Sequence, residues 1–207
     1  MTRDEFSRKN LTALPNLLTY LRVLAIPVII VILNPPTSGR LQNTAFVLYV
    51  MASLTDYLDG ILARRHNLVT SVGKLLDPLA DKLLTCAVLI MLIELGKVHA
   101  WVVFLIIGRE FIITGLRSIA ASQGLILDAS RMGKNKMVSQ TVAILCLLLH
   151  VEGLQRALFL TGTGFLWISI AFGYWSAGAY FVDFYHKAKA LHAPTPSRAP
   201  ASAQTDS

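Results

Sequence analysis

Six apolar runs separated by short polar connections dominate this chain, and they restrict it to a narrow set of folds. The runs cover approximately residues 16–33, 41–62, 73–95, 100–121, 137–150 and 158–182. At about 1.5 Å per residue, about 20 residues cross a hydrocarbon core of about 30 Å. Backbone polar groups must be satisfied internally in such a core, which favours helices. The expectation is an all-α, polytopic membrane protein of six transmembrane helices. A mean hydropathy of +0.57 and a charged fraction of only 15% agree with that class.

The connections fix a direction. Arg40, Lys97 and Arg156 stand alone in three alternate connections. The other set carries Arg3, Arg8, Lys9, Arg64, Arg65, Lys74, Arg131, Lys134, Lys136, Lys187 and Lys189. The positive-inside rule makes the richer set cytoplasmic, so both termini are expected inside. The net charge of +7 therefore reads as membrane topology. Nucleic acid is not expected as a partner, because no basic stripe with interleaved aromatics is present.

Residues 1–15 form a short lead-in, with Arg3, Arg8 and Lys9 opposing Phe6, Leu11 and Leu14. An amphipathic segment on the headgroup surface and a frayed end remain open readings. No small-residue cleavage site follows, so no removable signal peptide is expected. Residues 1–192 make one membrane domain, and the Pro/Ser/Ala-rich stretch 193–207 is expected to be a disordered cytoplasmic tail. Pro27 inside the first run is tolerable in a membrane bundle. Ala63 to Val72 reads as a short basic connection, and Asp128 to Lys136 as a basic loop. Cys86 and Cys146 lie in apolar runs and form no disulfide framework.

Four carboxylates interrupt this oily background: Asp56, Asp59, Asp77 and Asp81, in a chain with only twelve acidic residues. Asp56 and Asp59, at i,i+3, share a face near the cytoplasmic end of the second helix, about 60° apart. Acids at a helix C-terminus are electrostatically disfavoured, so a compensating cation is expected. Asp77 and Asp81, at i,i+4, open the third helix about 40° apart. For this pair alone, an N-cap at Asp77 with Pro78 in the first helical position is a plain alternative. A short connection makes the two helices antiparallel neighbours and brings both pairs to one depth. Four facing carboxylates repel unless divalent cations bind them, and hard oxygen ligands select Mg²⁺ or Mn²⁺. Two such ions can hold a diphosphate for in-line displacement.

The stretch Asp56-x-x-Asp59-Gly60-x-x-Ala63-Arg64, eight residues, Gly73-x-x-x-Asp77-x-x-x-Asp81 matches in full the signature of the CDP-alcohol phosphotransferase family, and the chain is identified as a resembling member. Pro15-Asn16-Leu-Leu-Thr19-Tyr-Leu-Arg22, Gly108-Arg109-Glu110-Phe, Thr114-Gly-Leu-Arg117 and Gly133-Lys134-Asn-Lys136 resemble its bacterial branch that makes phosphatidylglycerophosphate. That branch usually continues the last motif with threonine, where this chain has Met137.

The resemblance implies transfer of the phosphatidyl group of CDP-diacylglycerol to sn-glycerol 3-phosphate, with release of CMP. It implies Asp56, Asp59, Asp77 and Asp81 as metal ligands for two Mg²⁺ or Mn²⁺ ions, with Asp81 also the general base. Gly60, Ala63, Arg64, Thr70 and Gly73 would line the CDP-diacylglycerol side, closed by Asn16, Thr19 and Arg22 from the first span. The acceptor's phosphate calls for a second anion site, for which Arg109, Arg117, Lys134 and Lys136 are candidates. An arginine as deep in an apolar run as Arg109 is costly and is functional or paired; Glu110 is its plain structural partner. The resemblance further implies a homodimer among membrane lipid, in a bacterial inner (cytoplasmic) membrane, with the active site facing the cytoplasm.

Two other readings stay open. A sibling enzyme would use another acceptor, such as inositol phosphate, phosphatidylglycerol or serine. A divalent-cation transporter would need polar groups through the whole bilayer depth, whereas these acids gather at one surface. The histidines (His66, His99, His150, His186, His192) and Trp101, Trp167 and Trp175 suit connections and interfacial belts.

Overall fold

A computed structural model describes the backbone of residues 14–66, 71–123 and 131–191, and the side chains of residues 20–55, 79–123 and 133–189. Every regular element among the described residues is a helix. They run α1 Leu14–Leu33, α2 Gly39–His66, α3 Ser71–Glu94, α4 Ala100–Ser122, α5 Arg131–Leu148 and α6 Gln155–Leu191. The lead-in to residue 13 and the tail from residue 192 lie outside the described residues.

Helix ends differ from expectation in instructive ways. α2 continues through Ala63-Arg64-Arg65 to His66, where strong helix formers and basic side chains suit a C-terminal turn. α3 begins at Ser71, so Asp77 is no N-cap and Pro78 lies within the helix. The expected basic loop up to Lys136 ends instead at Arg131, because Gly133 to Lys136 wind into α5. Basic residues oppose the dipole there, but Lys136 finds an acidic partner on α4. α6 overruns its expected end at residue 182, supported by the i,i+4 pair of Asp183 with Lys187 at 2.9 Å.

The end of α3 is set by glycine chemistry. Gly96 adopts φ 67°, Lys97 N–H donates to the Leu92 carbonyl, and Gly96 N–H donates to Ile93. This is a Schellman ending, which few residues but glycine can close.

Side-chain bonds bring the 34–38, 95–99 and 149–154 connections to one end of the bundle. Asn43 Nδ2 donates to the His150 carbonyl at 2.9 Å, and His150 N–H returns a bond to Asn43 Oδ1 at 2.8 Å. Gly39 lies directly against the His150 ring. Lys97 Nζ donates to Gln42 Oε1 at 2.8 Å and to the Leu147 carbonyl at 2.6 Å. Arg40, Lys97 and Arg156 thus share this end, while the signature carboxylates and most basic residues belong to the opposite half.

α1 packs on α2 and α3, α5 packs extensively on α6, and α4 leans on both α6 and α3. The main apolar core fills the half nearer Lys97, with Ile29, Leu33, Leu84, Val88, Leu92, Ile144 and Leu148 almost fully buried. Gly162 admits a close α5–α6 approach, since an added Cβ would meet Leu147 at 2.7 Å. Outward-facing Val31, Phe104 and Phe111 are 74%, 73% and 73% exposed, an apolar belt that suits lipid better than water. Among the described residues, Gln155–Lys189 is long and apolar enough to cross a membrane, and Tyr20–Leu33 is a shorter apolar helix. α4 carries Arg109, Glu110 and Arg117 in its length, which lowers its hydropathy. Both cysteines are free.

Two predictions concern this scaffold. Gly162→Val should destabilise the protein by about 1–3 kcal/mol through overpacking, read as a lower unfolding temperature in detergent. Gly164→Ala, with open space around it, should keep or slightly raise that temperature, because alanine favours a helix over glycine. The second concerns pH. Partial burial holds the Lys97 ammonium below the ordinary lysine range. The native state therefore binds fewer protons than the unfolded state between that lowered value and the ordinary pKa of about 10.4, so stability rises with pH across the interval. Unfolding measured from neutral pH to about pH 10 should show the wild type gaining on Lys97→Met.

Candidate active site

The hairpin of α2 and α3 sets the level of each carboxylate. Asp59 lies seven residues before His66, and Asp77 six residues after Ser71, so both stand about 10 Å from the connection. Asp56 and Asp81 each stand ten residues in, about 15 Å from it. The helix bounds thus pair Asp59 with Asp77 and Asp56 with Asp81 by height. They also correct the expected placing of Asp56 and Asp59 at a helix terminus. The acids lie two to three turns inside α2, so mutual repulsion, not the helix dipole, is what a cation would relieve.

Among the four, the described side chain is Asp81, which is half-buried on α3. Its charge is felt at the buried Tyr49 hydroxyl of α2, which also interacts with Thr85, Ser53 and Thr141. The next residue, Lys82, donates from Nζ to Thr114 Oγ1 and ties α3 to α4 beside Asp81. Asp56, Asp59, Gly60, Ala63, Arg64, Gly73 and Asp77 are described in backbone alone, as are Asn16 and Thr19, and the whole of Thr70 lies outside the described residues.

Arg22, predicted to close the nucleotide side from the first span, is 2% exposed on α1. Its Nε donates to the Ala52 carbonyl at 3.4 Å, one turn before Asp56 on α2. Arg22 on α1 thus contacts the backbone of the carboxylate helix.

The second predicted cluster divides. Arg109 is 8% and Lys136 7% exposed, and both bind Glu110. Arg109 Nη1 donates to Glu110 Oε1 at 2.6 Å, and Lys136 Nζ donates to the same oxygen. Arg109 Nε also donates to the Gly173 carbonyl of α6 at 3.0 Å. Both cations are thus committed to a buried pair, the structural alternative noted for Arg109. Arg117 differs: it is exposed, and its Nη2 donates to the Tyr180 hydroxyl while the guanidinium lies 4.8 Å from that ring's centroid. Lys134 is exposed in the first turn of α5.

Sequence reasoning passed over the α6 side of this cluster. Ser169, Gly173, Ser176 and Tyr180 recur at four-, three- and four-residue spacing within a long apolar helix, which keeps them on one face. That polar and small stripe was the available signal. It was masked by the aromatic residues around it, which fit an interfacial belt equally well.

Glu110 holds two cations that have few other buried partners. Removing its charge in Glu110→Gln should destabilise the protein by about 3–5 kcal/mol, the usual cost of stranding buried charge. Unfolding in detergent checks this; a loss below about 1 kcal/mol would mean the pair is solvated like a surface bridge.

Comparison with known proteins agrees with the geometry. The family model described as CDP-alcohol phosphatidyltransferase matches residues 12–175. A CDP-diacylglycerol–glycerol-3-phosphate 3-phosphatidyltransferase of Bacillus subtilis is 40% identical over 179 residues, covering 81% of this chain and 93% of that protein. A protein of the same name from Rickettsia bellii is 43% identical over 159 residues, covering 75% of this chain and 86% of its own length. In Arabidopsis thaliana, the CDP-diacylglycerol–glycerol-3-phosphate 3-phosphatidyltransferase 2 is 35% identical over 192 residues, 85% of this chain and 81% of that one. Matched over most of its length, with the carboxylate hairpin and the arginine helix inside the matched region, the chain belongs to the CDP-alcohol phosphatidyltransferase family.

Proposed function

We propose that this protein transfers the phosphatidyl group of CDP-diacylglycerol to sn-glycerol 3-phosphate, releasing CMP and forming phosphatidylglycerophosphate. The observation that carries the reading is the complete carboxylate signature on α2 and α3, level by height, in a chain similar over most of its length to proteins of that name.

The chemistry follows from the residues. Asp81 takes the proton of the acceptor hydroxyl, whose oxygen attacks the phosphorus bearing the diacylglycerol. The new P–O bond forms as the bond to the CMP phosphate breaks, and CMP leaves as an anion. Asp56, Asp59, Asp77 and Asp81 form a hard-oxygen donor set suited to two Mg²⁺ or Mn²⁺ ions, which when bound supply positive charge to the diphosphate. The half-buried Asp81, whose charge reaches across to α2, fits such a set. Gly60, Ala63, Arg64, Thr70 and Gly73 are assigned to the nucleotide side, with Asn16, Thr19 and Arg22. Of the basic candidates, exposed Arg117 and Lys134 are best suited to meet the acceptor phosphate. Arg109 and Lys136 act through their pairing with Glu110, shaping the wall behind it.

In this reading all six helices span a bacterial inner membrane, with both termini and the active site on the cytoplasmic side. Residues 1–192 form the catalytic domain, followed by a tail at 193–207, and the working form is a homodimer among membrane lipid. A cation transporter fits less well, because the half of the bundle remote from the carboxylates is closed by a tightly buried apolar core.

Purified protein in mixed micelles should release CMP from CDP-diacylglycerol when glycerol 3-phosphate is added, lose that activity to a chelator and regain it with Mg²⁺ or Mn²⁺. Asp81→Asn should lower turnover at least about 100-fold with an unchanged unfolding temperature. Turnover with inositol phosphate, serine or phosphatidylglycerol in place of glycerol 3-phosphate would transfer the protein to a sibling activity.

A further inference from the structure

The stripe on α6 meets every basic residue of the second cluster that is buried or held. Ser169 is 2%, Ser176 0% and Tyr180 5% exposed, and Gly173 is buried between them. Ser169 Oγ donates to the Lys136 carbonyl at 3.2 Å. The Gly173 carbonyl takes the Arg109 Nε–H bond, and the Tyr180 oxygen takes a bond from Arg117. α4 and α6 run in the same direction, since Arg109 and Arg117 meet Gly173 and Tyr180 in turn.

Tyr180 and Arg117 are an unequal pair. The phenol is buried in an apolar cluster of Ile113, Leu116 and Ala177, with Phe184 against it. The guanidinium is exposed. A long arginine side chain at a surface ordinarily samples many rotamers. Here a buried ring holds it, by a hydrogen bond from Nη2 to the phenol oxygen and by a cation–π contact. The remaining N–H donors of the fork are thereby held in a set direction before any anion arrives, which is how an arginine recognises a phosphate. Tyr180 lies beyond the region matched by the family model, which ends at residue 175.

We propose that Tyr180 is a positioning residue for the acceptor, holding the Arg117 guanidinium ready for the acceptor's phosphate. The proposal rests on the reading of Arg117 as part of the anion site for glycerol 3-phosphate. It predicts an effect on acceptor binding and none on the other substrate.

The test is a double-mutant cycle in micelles with CDP-diacylglycerol and glycerol 3-phosphate, following CMP release. Tyr180→Phe keeps the ring and the packing and removes the hydrogen bond. It should raise the KM for glycerol 3-phosphate about fivefold, the size of one net hydrogen bond. Both kcat and the KM for CDP-diacylglycerol should stay within about twofold. Tyr180→Leu, which also removes the cation–π contact, should raise the acceptor KM further. In an Arg117→Ala background, Tyr180→Phe should have no additional effect. An equal rise in acceptor KM in both backgrounds, or a parallel change in the KM for CDP-diacylglycerol, would overturn the positioning role. So would an unchanged acceptor KM in Tyr180→Phe with the unfolding temperature retained. A wild type that releases no CMP with glycerol 3-phosphate overturns the acceptor reading and this role together. Wild-type activity with additive variants overturns only the role of Tyr180.

Discussion

Two cations and one carboxylate share a buried pocket among α4, α5 and α6, and the arrangement of that half of the molecule follows from the need to keep them together. Arg109, Glu110 and Lys136 are each costly in an apolar bundle, and a single charge left there would be intolerable. Glu110 meets both cations, and the Gly173 carbonyl takes a further donor from Arg109. This constraint fixes three helices at once. It sets the rotation of α4 and pulls the first turns of α5 into helix despite an unfavourable dipole. An added Cβ at Gly173 would lie 3.6 Å from Arg109 Nε and from Lys136 Cγ, in ordinary contact with both.

The opposite end is held by different physics. There the core is apolar and closely packed, and polar groups appear as helix-end clips: Asn43 with the His150 backbone, and Lys97 with Gln42 and Leu147. An apolar, closely packed half adjoins the half that carries the buried ion pairs and the signature carboxylates. The division suits an enzyme drawing one substrate from a lipid leaflet and the other from water. In the proposed reading the chemistry gathers at one end of the bundle, and the remainder anchors it.

Much of the architecture was legible in the chain. Helix number and order follow from the apolar runs, because hydrocarbon leaves the backbone few alternatives. Helix ends were less legible. Competing local preferences decide them, and at α5 a distant partner, Glu110, outweighed the local ones. The carboxylate pairs were read correctly as i,i+3 and i,i+4 sets on neighbouring helices. Their electrostatic setting was misjudged because α2 and α3 extend past them. Arg109, Arg117, Lys134 and Lys136 were grouped as candidates for an acceptor phosphate from depth and family resemblance; the structure pairs buried Arg109 and Lys136 with Glu110 and leaves Arg117 and Lys134 exposed.

What the sequence by itself determined is the placing of the residue types: four acids at fixed spacing on a helical hairpin, arginines along a fourth run, and apolar side chains for the outward faces. Those follow from periodicity and covalent connection, which are local. Only the tertiary structure decided which basic groups are spent on one another and which remain turned outward, and that α6 contributes the residues holding them. Glu110, Gly173 and Tyr180 gain those roles through contacts 26 to 64 residues away in the chain. No pattern along one helix encodes which face of another it will meet.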